Sequence, residues 1–313
     1  ESIETFFSHC VARPMQNRAL ASSTEFVPKL VTTLREGYGA RELRADAIAG
    51  LTVAIVALPL SMAIAIASGV TPKMGLITAI VGGFLVSALG GSRFQIGGPA
   101  GAFIVLIGAT AQAHGIDGLI LATFLSGLML LGLGALRLGT YIKFIPFPVT
   151  VGFTAGIGAI IFASQIKPLL GLTLEGPEPG PLIEKLPALW RALPTIDIAT
   201  CLLSAAAVGA MIGMRIARPR WPRMLIAVAG ATLLAWAFAL PVATIGSSFG
   251  ALTGDLPVPS LPSLSVEKIV AVMPAAISFT LLGAIESLLS AVVADGMTGR
   301  RHRSNTELVA QGF

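Results

Sequence analysis

The chain has 313 residues, of which 54% are hydrophobic and 12% are charged, about half the charged fraction of a typical soluble domain. With a mean hydropathy of +0.84, it is neither a disordered chain nor typical of a soluble enzyme. Two cysteines and three scattered histidines give no disulfide framework and no zinc-ligand spacing. The net charge of +5 is more typical of basic loops in a membrane protein than of nucleic-acid binding. We therefore expect an integral membrane protein without cofactor, metal or nucleic acid.

Residues 1–45 are predicted to form a cytoplasmic N-terminal tail. Within it, five apolar residues recur at helical spacing among basic ones: Phe26, Val27, Leu30, Val31 and Leu34. This pattern indicates an amphipathic helix that lies on the membrane surface.

Residues 46–295 are predicted to form a transmembrane region of about eight spans, because a helix needs about 20 apolar residues to cross a bilayer. The second and third stretches are short and rich in glycine or broken by proline. The eight stretches are Ala47–Ser68, Met74–Gly90, Gly97–Ala113, Ile116–Leu136, Phe147–Ile166, Ile196–Met214, Met224–Leu240 and Ile269–Ala294.

The distribution of Lys and Arg predicts the orientation of these spans. With the N-terminus inside, the inner segments hold 16 basic residues and the outer loops hold 5, as the positive-inside rule requires. We expect a multi-pass protein of the inner (plasma) membrane with a cytoplasmic N-terminus. The outer loops 167–195 and 242–267 are rich in proline and glycine, and the first is predicted to contain a short helix near 182–193.

Glu286 is the acidic residue that lies well inside an apolar span, in FTLLGAIESLLSAVVAD. An ionisable group is costly there and is a functional candidate by default. We interpret Glu286 as a proton or cation site, with Ser290 one turn further on the same face. The alternative is a neutral Glu286 that hydrogen-bonds to a neighbouring hydroxyl, from Ser287 or Ser290.

The stretch GGSRFQIGGPAGAF, residues 90–103, is the second candidate site. Its glycines allow unusual backbone angles and close approach, and Pro99 suits the first position of a helix. We predict an extended segment that leads into a helix beginning inside the membrane. The N–H groups at such a start attract anions, so we assign anion binding to residues 98–102: Gly98, Pro99, Ala100, Gly101 and Ala102. The alternative is a tight glycine-rich turn between two short helices.

Pro59 lies in the middle of the first span, in ALPLSMAIA. It removes a backbone hydrogen bond and is expected to kink the helix. Ser61 and Met62, beside the kink, could line a substrate cavity. The alternative is a proline that the span simply tolerates.

Four stretches in this order resemble the sulfate-permease (SulP) family of anion transporters, also called solute carrier family 26. They are ADAIAGLTVAIVALPLSMAIAIASGV, GGSRFQIGGPAGAF, YIKFIPFPVTVGFTAGIGAIIF and IESLLSAVVADGMTGRRHRSNTELVAQG. The resemblance covers the chain from about residue 44 to its end.

The resemblance implies an all-α fold of seven-plus-seven spans in two inverted repeats, followed by a cytoplasmic STAS domain. The anion would bind between the N-terminal ends of half-helices three and ten. A core domain would move against a gate domain in an elevator motion, within a homodimer. Half-helix three would begin at residues 98–102, and Glu286 would stand at the family's acidic position in span eight.

Two departures from the family pattern bear on the substrate and the coupling ion. Leu60 and Ile64 stand where sulfate-transporting members carry a glutamine and an aromatic residue, so this chain resembles the bacterial bicarbonate-type members more closely. Sodium-coupled members tend to carry Asp at the position of Glu286 and Thr near Ala100. The residues found here favour protons over sodium.

The chain ends at Phe313, just after the predicted eighth span, so about eight of fourteen spans are expected. Residues 296–313 are predicted to be a cytoplasmic segment that leads to further spans. We expect a secondary active transporter for an inorganic or small organic anion, such as sulfate or bicarbonate, coupled to protons or alternatively sodium. The alternatives are a passive channel or exchanger of the same fold, a nucleobase permease, and a truncated fragment that does not transport. No catalytic constellation points to an enzyme.

Overall fold

A computed structural model describes residues 26–144, 147–176, 179, 182–218, 221, 223–249, 262 and 264–313. In these residues the chain forms helices joined by irregular segments. Short 3₁₀ turns occupy Gly101–Phe103, Leu138–Phe144 and Leu193–Thr195. The α-helices are α1 Lys29–Arg35, α2 Ala40–Ala67, α3 Pro72–Leu89, α4 Ile104–Ala135, α5 Phe147–Leu170, α6 Leu182–Ala192, α7 Ile198–Ala217, α8 Arg223–Ala237, α9 Ile245–Phe249, α10 Val266–Thr298 and α11 Ser304–Gly312.

Most residues of the predicted apolar stretches lie in helices within the described ranges. Five helical stretches are long and apolar enough to cross a membrane, and two shorter apolar helices accompany them. The first span begins earlier than predicted. Helix α2 starts at Ala40 because Glu42 accepts a hydrogen bond from the Gly39 N–H (3.0 Å), which caps the polar first turn. The number of membrane crossings stays a prediction.

The third and fourth predicted stretches both lie in α4, which consists of two helical halves separated by a break at Gly115, where the chain turns back. The backbone there has φ 68° and ψ −176°, a conformation that suits glycine. A Cβ added at Gly283 would lie 3.6 Å from Phe103 and 3.8 Å from Leu130. In a straight helix these two residues would be about 40 Å apart. The halves of α4 before and after Gly115 therefore pack side by side against α10.

The core lies between α4, α10 and α11. One buried cluster joins α4 to α10, and consists of Leu119, Leu121, Ala122, Val272, Ala276 and Phe279. A second cluster adds α11, through Leu130, Leu288 and Leu308. The Thr280 hydroxyl contacts the Ser126 hydroxyl across the α4–α10 interface (3.2 Å). Hydroxyl contacts of this kind help to hold helices together within a bilayer.

Helix α11 lies unusually close to α4 because both helices present glycine. A Cβ added at Gly127 would lie 2.7 Å from the Gly312 oxygen, and one added at Gly134 would lie 2.9 Å from the Asn305 oxygen. Three polar residues of α11 are buried: Asn305, Thr306 and Glu307. Residues 304–312 thus form a packed helix within the predicted segment 296–313, whose place relative to the membrane stays a prediction.

Helices α5, α7 and α8 form a second and looser region. Helix α7 has no buried residue, although it is long and apolar enough to span a membrane. The predicted short helix near 182–193 is present as α6, Leu182–Ala192. It closes the end of α5 through a small cluster of Leu172, Leu189 and Ala192.

Candidate functional site

An extended segment connects α3 to α4 and runs back along α3. Gly90, the C-cap of α3, is already extended (φ −65°, ψ 157°). A Cβ at Gly97 would lie 2.7 Å from the Val86 side chain and 2.9 Å from the Gly82 oxygen. Gly97 is therefore level with the second half of α3, and only glycine allows the backbone to pass so close. The segment has returned to a depth within α3 before the next helix begins.

The helix after this segment begins at Gly101, two residues later than Pro99. Ala100 is extended (φ −119°, ψ 139°), and the first turn closes when the Phe103 N–H donates to the Ala100 carbonyl (3.1 Å). The prediction that Pro99 occupies the first helical position is wrong, because the backbone must stay extended beyond Gly97 to clear α3. The expected extended segment that leads into a helix is present.

Helix α10 faces this helix start. The Gln95 amide donates to the Ser287 hydroxyl (2.9 Å), and the rings of Phe103 and Phe279 meet edge to face with centroids 6.1 Å apart. Ser287 is adjacent to Glu286 in sequence. The structure thus brings the extended segment and the acidic stretch of α10 into contact, although almost 200 residues separate them.

The Glu286 carboxylate is buried at one oxygen, Oε2, which has no hydrogen-bond partner in the described part of the chain. The Ser290 hydroxyl donates to the Glu286 backbone carbonyl (2.8 Å), and the Ser287 hydroxyl accepts from Gln95. The alternative in which a serine satisfies the carboxyl therefore finds no support in this geometry. Gln95 also keeps a buried Oε1 without a described partner, so two polar atoms here are open to a ligand or a proton.

The residues beside Pro59 lie on α2, against α3. Ser61 is buried, and a Cβ at Gly75 of α3 would lie 2.4 Å from the Ser61 oxygen. Met62 is half-buried. The described contacts of Ser61 are thus with α3, and a role for Ser61 and Met62 in substrate binding stays a prediction.

Glu307 is a functional candidate that the sequence analysis missed. Its side chain is fully buried, and Oε2 accepts hydrogen bonds from the N–H groups of Gly91 (2.8 Å) and Ser92 (3.1 Å). The Arg303 N–H also donates to the Gly91 carbonyl (2.9 Å). These bonds fix the corner at which the extended segment leaves α3. In the sequence, Glu307 follows a run of basic residues, a pattern typical of a solvent-exposed loop. Its burial is visible only from the packing of α11.

Burial raises the pKa of the Glu307 carboxyl above its ordinary value, although the hydrogen bonds from Gly91 and Ser92 act in the opposite direction. Burial also lowers the pKa of Lys29, and the positive charges of Arg303 and Arg93 lower it further. The Lys29 N–H donates to the Gly90 carbonyl (2.9 Å). The corner is therefore a place where positive charge is concentrated around one buried carboxyl group.

The described residues hold no group of three His, Cys, Asp or Glu side chains arranged to bind a metal ion. Helix N–H groups and an amide at the extended segment can donate to an anion, and the Glu286 carboxyl can exchange a proton.

Taken together, the fold is that of a multi-pass helical membrane protein in which an extended segment faces a carboxyl group on a long apolar helix. A model of the sulfate permease family matches residues 43–313. The chain therefore belongs to the sulfate permease family, a family of membrane transporters.

Three known proteins are similar to this chain in sequence or in structure. YvdB of Bacillus subtilis strain 168, named as a candidate sulfate transporter, is 41% identical over 281 residues, which cover 89% of this chain and 52% of YvdB. The transmembrane domain of a cyanobacterial bicarbonate transporter, BicA, matches with a TM-score of 0.76 at 30% identity, over 88% of this chain and 71% of that domain. The structure of SLC26A9 shares the fold, with a TM-score of 0.75 at 18% identity, over 95% of this chain and 50% of that one. The chain spans about half the length of YvdB.

Proposed function

We propose that the protein is a secondary active transporter that moves an inorganic or small organic anion across the membrane together with a proton. The observation that carries the proposal is the contact between the extended segment before α4 and the Glu286 region of α10, made by Gln95 and Ser287 (2.9 Å). Membership of the sulfate permease family supports the same conclusion.

The anion would lie at the N-terminal end of α4, against Gly98, Ala100 and Gly101. A Cβ at Gly98 would meet no atom within 4 Å, so open space adjoins the backbone at this point. The N–H groups of Gly101 and Ala102 precede the first intrahelical hydrogen bond and are available to an anion. Pro99 holds the segment extended ahead of them.

Glu286 would carry the coupling proton. A carboxyl group in this position is costly when charged, so it would take up a proton as the anion binds and offset the anion's charge. Ser290 would support this role by holding the turn of α10 through its bond to the Glu286 carbonyl (2.8 Å). Sodium is the alternative coupling ion.

The substrate would be a small oxyanion such as sulfate or bicarbonate. YvdB is named for sulfate and BicA for bicarbonate, and both names enter here as guides only. Leu60 and Ile64 of α2 stand where sulfate-transporting members of the family carry a glutamine and an aromatic residue, which favours bicarbonate, the less strongly hydrated of these anions. An elevator movement, a homodimer, and residence in the inner membrane with a cytoplasmic N-terminus complete the proposal.

The test is uptake of radiolabelled sulfate and bicarbonate into proteoliposomes that contain the full-length protein, with and without an inward proton gradient. We expect the proton gradient to stimulate uptake of at least one anion. Glu286→Gln should abolish this stimulation, whereas Glu267→Gln, at an exposed position in the first turn of the same helix, should preserve it.

Three results would contradict parts of the proposal. Uptake that follows the anion gradient alone, in the wild type, would indicate a passive channel. Full proton stimulation in Glu286→Gln would remove Glu286 from the coupling mechanism, and stimulation by sodium alone would replace the proton.

A further inference from the structure

A cavity of about 340 Å³ opens at the corner where α3 ends, away from the site described above. It lies between the start of α1, the segment at Ser92–Phe94 and the loop that follows α10. Its volume is within the range of about 300–1,000 Å³ that is usual for small-molecule sites. Three separate parts of the chain form its wall, so the cavity depends on the tertiary structure.

Four cationic side chains line this cavity: Lys29, Arg93, Arg300 and Arg301. One carboxylate, Asp295, also lines it. Asp295 Oδ2 already accepts hydrogen bonds from the His302 backbone N–H (2.9 Å) and pairs with the His302 ring (2.7 Å). The carboxylate is thus directed toward His302, and positive charge dominates the cavity.

Hydrogen bonds and an ion pair hold together the segments that surround the cavity. The Lys29 N–H donates to the Gly90 carbonyl (2.9 Å), and the Arg303 guanidinium donates to the Thr32 hydroxyl (3.0 Å). Glu36 pairs with Arg93 at the rim (2.6 Å). These contacts fix α1 against the loop after α10, so the cationic groups converge without a ligand.

We propose that this cavity binds the phosphoryl group of a phosphate-bearing anion. A tetrahedral dianion accepts hydrogen bonds in several directions at once, and guanidinium groups donate two parallel bonds to it. Basic pockets at the ends of membrane helices are typical sites for lipid phosphate groups. Free phosphate and a lipid headgroup share this chemistry, and the inference is independent of the transport proposal.

A second cavity of about 580 Å³ adjoins the first and shares Asp295, Arg300, Arg301 and His302 with it. Its other lining residues include Thr140, Gly299 and Ser304. The cationic group of the first cavity therefore opens onto a larger space that can take the remainder of a phosphorylated molecule.

The test compares two matched pairs of substitutions in the purified full-length protein. Arg300→Gln with Arg301→Gln removes two exposed arginines from the cavity. Arg215→Gln with Arg218→Gln removes two exposed arginines from the end of α7 and serves as the control. Lys29→Gln removes a cavity cation from a different helix and guards against a local folding effect. The melting temperature without ligand reports whether each variant is folded.

The first arm titrates inorganic phosphate by calorimetry in detergent, at a constant ionic strength set with chloride. The second arm measures binding in nanodiscs of phosphatidylcholine with and without phosphatidic acid. We expect phosphate or phosphatidic acid to bind, and the arginine pair of the cavity and Lys29→Gln each to weaken binding at least tenfold. Binding of free phosphate in neutral nanodiscs would identify a soluble ligand, and binding of phosphatidic acid alone would identify a lipid.

The proposal is overturned if neither probe binds, or if the cavity pair binds as tightly as the control pair. It is also overturned if Gly98→Val abolishes phosphate binding while the cavity pair retains it, since phosphate would then occupy the transport site. A failure of anion uptake has no bearing on these outcomes, so the two proposals fail separately.

Discussion

Helices α4 and α7 are both apolar enough to cross a bilayer, yet they differ in how much of their surface the protein covers. In the apolar 18-residue window within Gly101–Ala135, which contains α4, 33% of the residues are buried, whereas 0% are buried in the corresponding window of α7. Helix α4 packs against α10 and α11, while α7 exposes apolar side chains such as Leu202 and Ile216. Hydrophobicity alone therefore does not separate the two regions.

The two regions differ in the contacts that their glycine residues and hydroxyl groups make. On α4, Gly127 and Gly134 lie close to the α11 backbone, whereas Gly209 and Gly213 on α7 have no atom within 4 Å of an added Cβ. In a bilayer, apolar side chains gain little by leaving lipid, so close packing and hydrogen bonds decide which helices associate. The candidate site lies in the region where these contacts are dense.

The largest effect is expected from Gly127→Ile. A Cβ at Gly127 would lie 2.7 Å from the Gly312 oxygen, so the larger side chain must separate α4 from α11, at a cost of about 1–3 kcal/mol or more. We expect a severe loss of monodisperse protein in fluorescence-detected size-exclusion chromatography. Gly132→Ile, on the same helix with open space around it, is the control. Equal yields for the two variants would contradict the close packing of α11.

Glu307→Ala should be nearly as disruptive. It leaves the N–H groups of Gly91 and Ser92 without their acceptor, at a cost of about 1–3 kcal/mol for each buried donor. We expect a lower melting temperature than in Glu307→Gln, whose amide oxygen can still accept. A melting temperature for Glu307→Ala equal to that of the wild type would show that the corner is held by other contacts.

The pH dependence of stability sharpens this test. Because the folded-state pKa of Glu307 is raised above its ordinary value of 4.5, the folded protein binds this proton more readily than the unfolded chain. The contribution of Glu307 is therefore fully present below about pH 4.5 and is lost as the pH rises through the raised folded pKa. Melting temperatures of the wild type should fall over this range relative to Glu307→Gln, and parallel curves would contradict the sign.

Gly98→Val is expected to act on transport rather than on folding. The open space beside Gly98 admits the side chain, which would then crowd the N–H groups at the start of α4. We expect at least a tenfold rise in the KM for anion uptake, with a nearly unchanged melting temperature. Gly209→Val, at an equally open glycine of α7, should leave both quantities unchanged.

The smallest effect is expected from Glu36→Gln. The Arg93 guanidinium lowers the pKa of the Glu36 carboxyl, but the pair lies at the surface, where solvent screens it. We expect no measurable change in melting temperature at 0.15 M salt. A clear loss of stability would show that this ion pair, rather than Glu307, holds the corner.

Individual residues show which features of the fold and of the candidate site could be predicted from the sequence. The extended segment before α4 was predictable, because the glycines around Pro99 in IGGPAG favour an irregular backbone. The helix start at Gly101 was placed two residues too early, since the close approach of Gly97 to Val86 is not visible in the local pattern. Glu286 was found because a charged residue in an apolar run is rare. Glu307 was not predicted because its burial depends on α11 packing beside Gly91, which lies more than 200 residues earlier in the chain.

Local composition and periodicity were enough to establish the class of the protein, the stretches that become helices, and the one acidic residue in an apolar span. Only the three-dimensional packing shows that the two halves of α4 lie side by side against α10, that Gln95 contacts Ser287, and that Glu307 closes the corner beside a basic cavity. These contacts join residues far apart in the chain, and their energies come from packing and hydrogen bonds that local sequence does not specify.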